Sequence, residues 1–214
     1  MIEFMKNILI HGLGQTNKSW DKTITYLKKK GIDVLCPNLF EEIKFFSKDY
    51  NGMYHAFSDF CNNQNEKLNL CGLSLGGILA LDFAKAFPEK VCSILLIGTP
   101  HKIPKILFNC QVLVFHIMPE FAFKKMGCSK REFISLVCSM SKLNIERGLQ
   151  NIKCKCLILC GSKDYMNLKS ARFLNKRIKT SCFKVINHSS HEVNRDQPEE
   201  LSNWIYDFWT KNEE

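Results

Sequence analysis

One pattern narrows the fold more than any other. Short, uninterrupted apolar runs recur along the chain, and most are followed by a stretch with helical spacing. Asn7–Ile10, Asp33–Cys36, Leu68–Cys71, Val91–Ile97, Cys156–Cys160 and Cys182–Ile186 read as six strands. Runs without polar alternation are buried on both faces, which requires a parallel sheet with helices on each side. Ser19–Lys30 carries Trp20, Ile24 and Leu27 on one helical stripe, and Gly31 ends it. Tyr54–Cys61 and Ile78–Phe87 read as further helices. Pro198 opens the last one, where Leu201, Trp204, Ile205 and Phe208 fall at i, i+3, i+4 and i+7. The expectation is an α/β protein with a mostly parallel six-stranded sheet. In such sheets function gathers at the carboxyl ends of the strands.

Residues 101–150 break the alternation. They hold no buried-strand signal but many large apolar residues, among them Ile103, Phe108, Phe115, Met118, Phe121 and Phe123. About 50 residues is too long for a plain crossover. The division expected is a core of 1–100 and 151–214 with a small helical cap inserted at 101–150. If that cap covers a site, Phe108, Phe115, Met118 and Phe121 are its candidate substrate-binding residues.

Composition excludes several classes. A chain of 214 residues with 45% hydrophobic and 24% charged residues fits one globular domain. No apolar run approaches the ~20 residues of a membrane span. The start, Met-Ile-Glu-Phe-Met-Lys, has no signal-peptide pattern, so a cytoplasmic protein is expected. The 11 cysteines include no Cys-x-x-Cys pair, which weakens a zinc reading. Cys154, Cys156 and Cys160 share one face of a strand and read as reduced core residues. The net charge of +9 is dispersed, with no block of five or six cations, so nucleic-acid binding is not expected.

Gly72-Leu73-Ser74-Leu75-Gly76 follows a strand and opens a helix. This is the G-x-S-x-G nucleophile elbow in the context its chemistry needs. A serine on a tight strand-to-helix turn has no room for side chains two residues away on either side, and glycine supplies that room. The helix N-terminus behind it favours developing negative charge. His11-Gly12-Leu13-Gly14 follows the first strand and can lend a second backbone N–H. The oxyanion donors expected are therefore Leu13 and Leu75, while His11 reads as a structural anchor. Gly12–Ser19 nearly matches a phosphate-binding loop, but Asn17 replaces the second glycine and no strand ends in a magnesium-holding aspartate. Asp164 in Gly161-Ser162-Lys163-Asp164 follows the Cys156–Cys160 strand, where a carboxylate can orient a histidine. Two histidines after the last strand compete for the base, His188 and His191, and His191 is preferred because its loop leads into the final helix.

These landmarks, with His191-Glu192-Val193-Asn194 and Pro198-Glu199-Glu200, resemble the α/β-hydrolase family over nearly the whole chain. The resemblance implies Ser74 as nucleophile, Asp164 as acid and His191 as base, with no metal or organic cofactor. It also implies that the family's first two strands are missing and that the cap is short. The expected activity is hydrolysis of a small-molecule carboxylic ester with an apolar acyl chain, through an acyl-enzyme. A thioester or an ester linked to a carrier protein is the alternative. Lys102, Lys105, Lys124, Lys125, Lys130 and Arg131 lie in or beside the cap and could dock an acidic acyl carrier. A catalytically silent ligand-binding protein on the same fold is the alternative of a different class.

Overall fold

The computed structural model describes residues 5–42, 47–103 and 112–211. In chain order its main elements are β1 (Met5–Ile10), α1 (Asp21–Lys29), α2 (Tyr50–Asn62), β2 (Lys67–Leu73), α3 (Leu75–Ala86), β3 (Val91–Ile97), α4 (Lys130–Met140), β4 (Lys155–Gly161), α5 (Tyr165–Arg177), β5 (Ser181–Ile186) and α6 (Pro198–Thr210). The five strands lie side by side in the order β1-β2-β3-β4-β5, and every pair is parallel.

The sheet has five strands, not six. Asp33–Cys36 gives only a single parallel bridge, Leu35 to Ile8, with Leu9 N–H donating to Leu35 O at 2.8 Å. Pro37 follows immediately and has no N–H to extend the ladder. The bridge still matters, because Leu35 lies on the side of β1 away from β2. The chain winds outward from β1 to Leu35, then returns past β1 to start β2. That reversal opens a crevice at the carboxyl ends of β1 and β2, where such sheets bind ligands.

The alternation of side chains divides the core into two layers. Leu9, Cys71, Leu95 and Leu157 stand opposite one another across four strands and point to one face. There they meet Trp20 and Leu27 of the first helical region and Leu201, Ile205 and Trp209 of α6. Ile8, Leu70, Ile94 and Cys156 form the neighbouring row on the other face. They are covered by Met53 and Phe57 of α2, Ile78 and Leu79 of α3, and Ala171 and Leu174 of α5. Cys156 and Cys160 are buried free thiols, and burial pushes the Cys160 thiol up to about 12.

β5 departs from a fully buried strand. It forms one edge of the sheet, and only its last residue, Ile186, is buried. α5 has little apolar signature in the sequence, because its buried face is narrow and made of Ser170, Ala171 and Leu174. Between β3 and β4 the structure has helical residues at 112–117, the short helix Glu120–Lys124 and α4. Ser129 and Glu132 form a capping box that starts α4. Phe133 of α4 stacks on Phe40 at 5.9 Å and meets Phe115 and Phe123 at 4.9 and 5.2 Å. This segment thus shares the core of the sheet. Among the described residues no helix is long and apolar enough to cross a membrane.

Truncating Phe133 tests that shared core. Phe133→Ala should cost about 3–5 kcal/mol and lower the midpoint of one cooperative urea transition. A second, separate transition, or an unmoved midpoint, would mean that the 112–140 helices fold apart from the sheet.

Candidate active site

The site is assembled from loops at the carboxyl ends of all five strands. Ser74 sits between β2 and α3 with φ 53° and ψ −110°, and apart from His188 it is the sole non-glycine with positive φ among the described residues. Such a conformation costs about 1–3 kcal/mol and persists only when its surroundings impose it. Ser74 N–H donates to Ile97 O of β3 at 2.8 Å. A side chain at Gly76 would lie 2.3 Å from Ile10 O, and one at Gly72 would lie 2.3 Å from the Gly76 backbone. The helix therefore starts in contact with β1 and with the end of β2, and no residue with a Cβ fits either place. Ser74 caps α3 without using its hydroxyl as a cap acceptor.

Asp164 and His191 are brought together by β4 and β5. His191 Nδ1 lies 2.7 Å from Asp164 Oδ2. Asp164 is buried, whereas the His191 side chain is 40% exposed. Asp164 caps α5, accepting from Asn167 N–H at 3.3 Å, and the Asn167 amide lies 3.0 Å from both carboxylate oxygens. Burial alone would raise the Asp164 carboxyl. The hydrogen bonds from His191 and Asn167, with the His191 charge, outweigh it and hold the carboxyl below its ordinary value of 3.8. The N-terminus of a 13-residue helix favours the same anion. Gly98, after β3, has φ 52°, and a side chain there would come within 3.0 Å of His191 Nδ1 and 3.2 Å of Asp164 Oδ2. Its missing side chain is the space the pair occupies.

His11 is an anchor. It is fully buried, its Nε2 accepts from Leu39 N–H at 3.1 Å, and its Nδ1 faces Gly12 O at 3.0 Å. Burial depresses its pKa against the pull of the Gly12 and Asn38 hydrogen bonds. His188 lies exposed in a turn at φ 58°, off the cavity wall.

A cavity of about 660 Å³ opens at this point. Ser74, His191, Leu13 and Leu75 all line it, so four of the five expected catalytic and oxyanion residues share one cavity, with Asp164 behind His191. Ile78, Ile103, Val137, Met140 and Met166 supply apolar walls. The expected substrate-binding residues are placed elsewhere. Phe115 and Met118 pack against the core, and Phe121 is 61% exposed under Lys125. None of the three lines the cavity. Phe108 and Lys105 fall outside the described residues.

Several participants carry no sequence signal. Gln15 is 2% exposed and donates to Glu192 Oε1 at 2.7 Å and Asn194 Oδ1 at 3.3 Å. Its own carbonyl oxygen faces Gly12 N at 3.4 Å. It thus braces the Leu13 loop against the loop of His191, a partnership across 177 positions that no local pattern announces. Asn167, three residues after a helix-capping aspartate, is the one that spacing could have found.

Residues 59–211 match the PGAP1-like alpha/beta domain family. The monoacylglycerol lipase ABHD6 of Mus musculus is 19% identical, over 94% of this chain and 74% of that protein. A carboxylesterase of the thaumarchaeon Nitrososphaera gargenis superposes with a TM-score of 0.79 at 17% identity, covering 97% of this chain and 90% of its own. An esterase of Exiguobacterium antarcticum gives 0.79 at 16% identity, with 96% and 92% covered. A bromoperoxidase of Bacillus anthracis gives 0.75 at 13%, with 97% and 93% covered. At these identities the solved structures share the fold.

The depressed Asp164 carboxyl makes a pH prediction. A folded pKa below the unfolded value contributes stability above 3.8, and that contribution disappears as pH falls through the lower folded value. Asp164→Asn should lower the urea midpoint at about pH 6, and the gap to the parent should close toward about pH 3. A gap of constant size across that range would contradict the assignment.

Proposed function

The chain belongs to the PGAP1-like alpha/beta domain family and has the α/β-hydrolase fold, and from that premise we propose that it is a serine hydrolase cleaving carboxylic esters with apolar acyl chains at Ser74. The observation that carries the reading is that a strained Ser74 and an Asp164-anchored His191 line the same cavity. The relative named as a monoacylglycerol lipase and the neighbours named as esterases support an ester as substrate. The apolar walls support an acyl chain.

In the proposed reaction His191 Nε2 takes the Ser74 hydroxyl proton as Oγ attacks the ester carbonyl. Asp164 holds the proton on Nδ1 and stabilises the imidazolium that forms. The Leu13 and Leu75 N–H groups receive the oxyanion, each worth ~10²–10³ in turnover. The alcohol departs with the proton from His191, leaving an acyl group on Ser74. Water, deprotonated by the same nitrogen, then attacks that acyl group and frees the acid. Residues 101–150 act as a cap over the core of 1–100 and 151–214. Ile103, Val137 and Met140, which wall the cavity, support that role. A thioester would follow the same steps with a thiol leaving. An acidic acyl carrier docked on Lys102, Lys124, Lys125, Lys130 and Arg131 would then appear as salt-sensitive turnover of carrier-bound substrate alone.

The test is turnover of p-nitrophenyl esters from acetate to dodecanoate, with acyl thioesters alongside. The parent should prefer medium chains. Ser74→Ala and His191→Ala should each lose on the order of 10⁴ or more in kcat. Undiminished turnover in Ser74→Ala would overturn the assignment. A folded parent that turns over no ester or thioester would favour the silent ligand-binding alternative.

A further inference from the structure

The cavity has an uneven electrostatic lining. Among its described lining residues the formal charges are two cations, Lys102 and Lys169, and no aspartate or glutamate lines it. Asp164 is withdrawn behind His191 and engaged there. Lys102 and Lys169 are exposed, and neither forms an ion pair among the described residues. What sets these two apart from other exposed lysines is their place on the rim of an otherwise apolar cavity.

A polar group accompanies each lysine. His101 precedes Lys102 and Ser170 follows Lys169, and these two are joined, with His101 Nδ1 2.8 Å from Ser170 Oγ. The His101 ring lies on Phe173 at 4.5 Å, which fixes its plane. Glu146 Oε1 approaches His101 Nε2 at 3.9 Å, too far for a hydrogen bond but on the side that favours a proton there. The His101–Ser170 contact ties the chain at Lys102 to the helix that carries Lys169. Burial lowers the pKa of His101 first, and Lys102 lowers it further, against the opposing pull of Glu146.

We propose that Lys102 and Lys169 form an anion subsite, so that the preferred substrates are esters or thioesters bearing a carboxylate or phosphate beyond the reacting carbonyl. This rests on the Ser74 reading and names its substrate class. It adds no step to the chemistry. The subsite binds the distant charge while the apolar walls hold the chain.

The experiment compares octanoate esters whose alcohol parts are neutral or anionic. Ethyl octanoate is the neutral member, and the octanoate esters of glycolate and of 2-hydroxyethyl phosphate are the anionic members. On one preparation at low salt, kcat/KM for an anionic member should exceed that for the neutral member by about three- to tenfold. Carboxylate and phosphate arms tell which anion is preferred. Added salt should shrink the ratio. Lys102→Gln with Lys169→Gln should bring it near one, and Lys102→Glu with Lys169→Glu should bring it below one. A ratio measured on one sample is insensitive to the fraction of active enzyme, so a partly folded variant still reports.

Binding is read separately on Ser74→Ala by the thermal shift with octyl phosphate against octanol. A larger shift with octyl phosphate, lost in the lysine variants, supports the subsite even where no ester turns over. That combination would sink the hydrolase reading alone. Ester turnover with a parent ratio of one, or a ratio unchanged by the lysine substitutions, overturns the subsite and leaves the hydrolase reading standing. Absent turnover with equal thermal shifts overturns both.

Discussion

The backbone of Ser74 is held in a conformation that an isolated chain would abandon, and the parallel sheet is what holds it. The Ser74 N–H is tied to Ile97 O of β3. The start of α3 lies so close to β1 that the Ile10 carbonyl occupies the space of any side chain at position 76. These contacts exist because β1, β2 and β3 run side by side in one direction, with β2 and β3 in continuous register from Asn69 to Leu73 after a shift at Leu68. The energy stored in the turn, about 1–3 kcal/mol, is small beside the burial of the rows Leu9–Cys71–Leu95–Leu157 and Ile8–Leu70–Ile94–Cys156 that fix it. The core is therefore the source of the geometry of the site.

Around that turn, each strand end supplies one component. β1 delivers the Leu13 loop, β2 Ser74, β3 Gly98, β4 Asp164 and β5 His191. Parallel strands bring their carboxyl ends to one side of the sheet, so residues as far apart in sequence as Leu13 and His191 share one cavity. Two devices set the register between loops. Gly98 leaves the volume in which Asp164 and His191 meet. Gln15 connects the loop of Leu13 to Glu192 and Asn194, beside His191. Neither is among the residues proposed to react, and both constrain how the loops of Leu13, Asp164 and His191 sit against one another.

Much of this was legible in the sequence, for physical reasons. A glycine two residues on either side of Ser74, between an apolar run and a helical stripe, describes a turn that few other structures require. The four long apolar runs through β4 read correctly because both of their faces are covered. Asp33–Cys36 looked like a strand by composition, yet Pro37 limits it to one bridge. β5 looked buried, yet it is an edge with one face in solvent. α5 is hard to read from sequence because Ser170, Ala171 and Leu174 make a thin stripe beside its polar residues. The aromatic residues between β3 and β4 illustrate a deeper limit. Phe115 is apolar enough to line a substrate cavity, but it packs on Phe133, and sequence does not say which apolar surface a side chain covers. The same holds for Gln15, whose role depends on a partner 177 residues away.

The proposed chemistry requires Ser74 to be an activated nucleophile, and a fluorophosphonate reports that without any choice of substrate. Intact-mass analysis of the folded protein after treatment should show a single adduct. The adduct should be absent from Ser74→Ala and formed far more slowly in His191→Ala. A well-folded parent that gains no mass, or a Ser74→Ala protein that still gains it, would contradict the account at its centre.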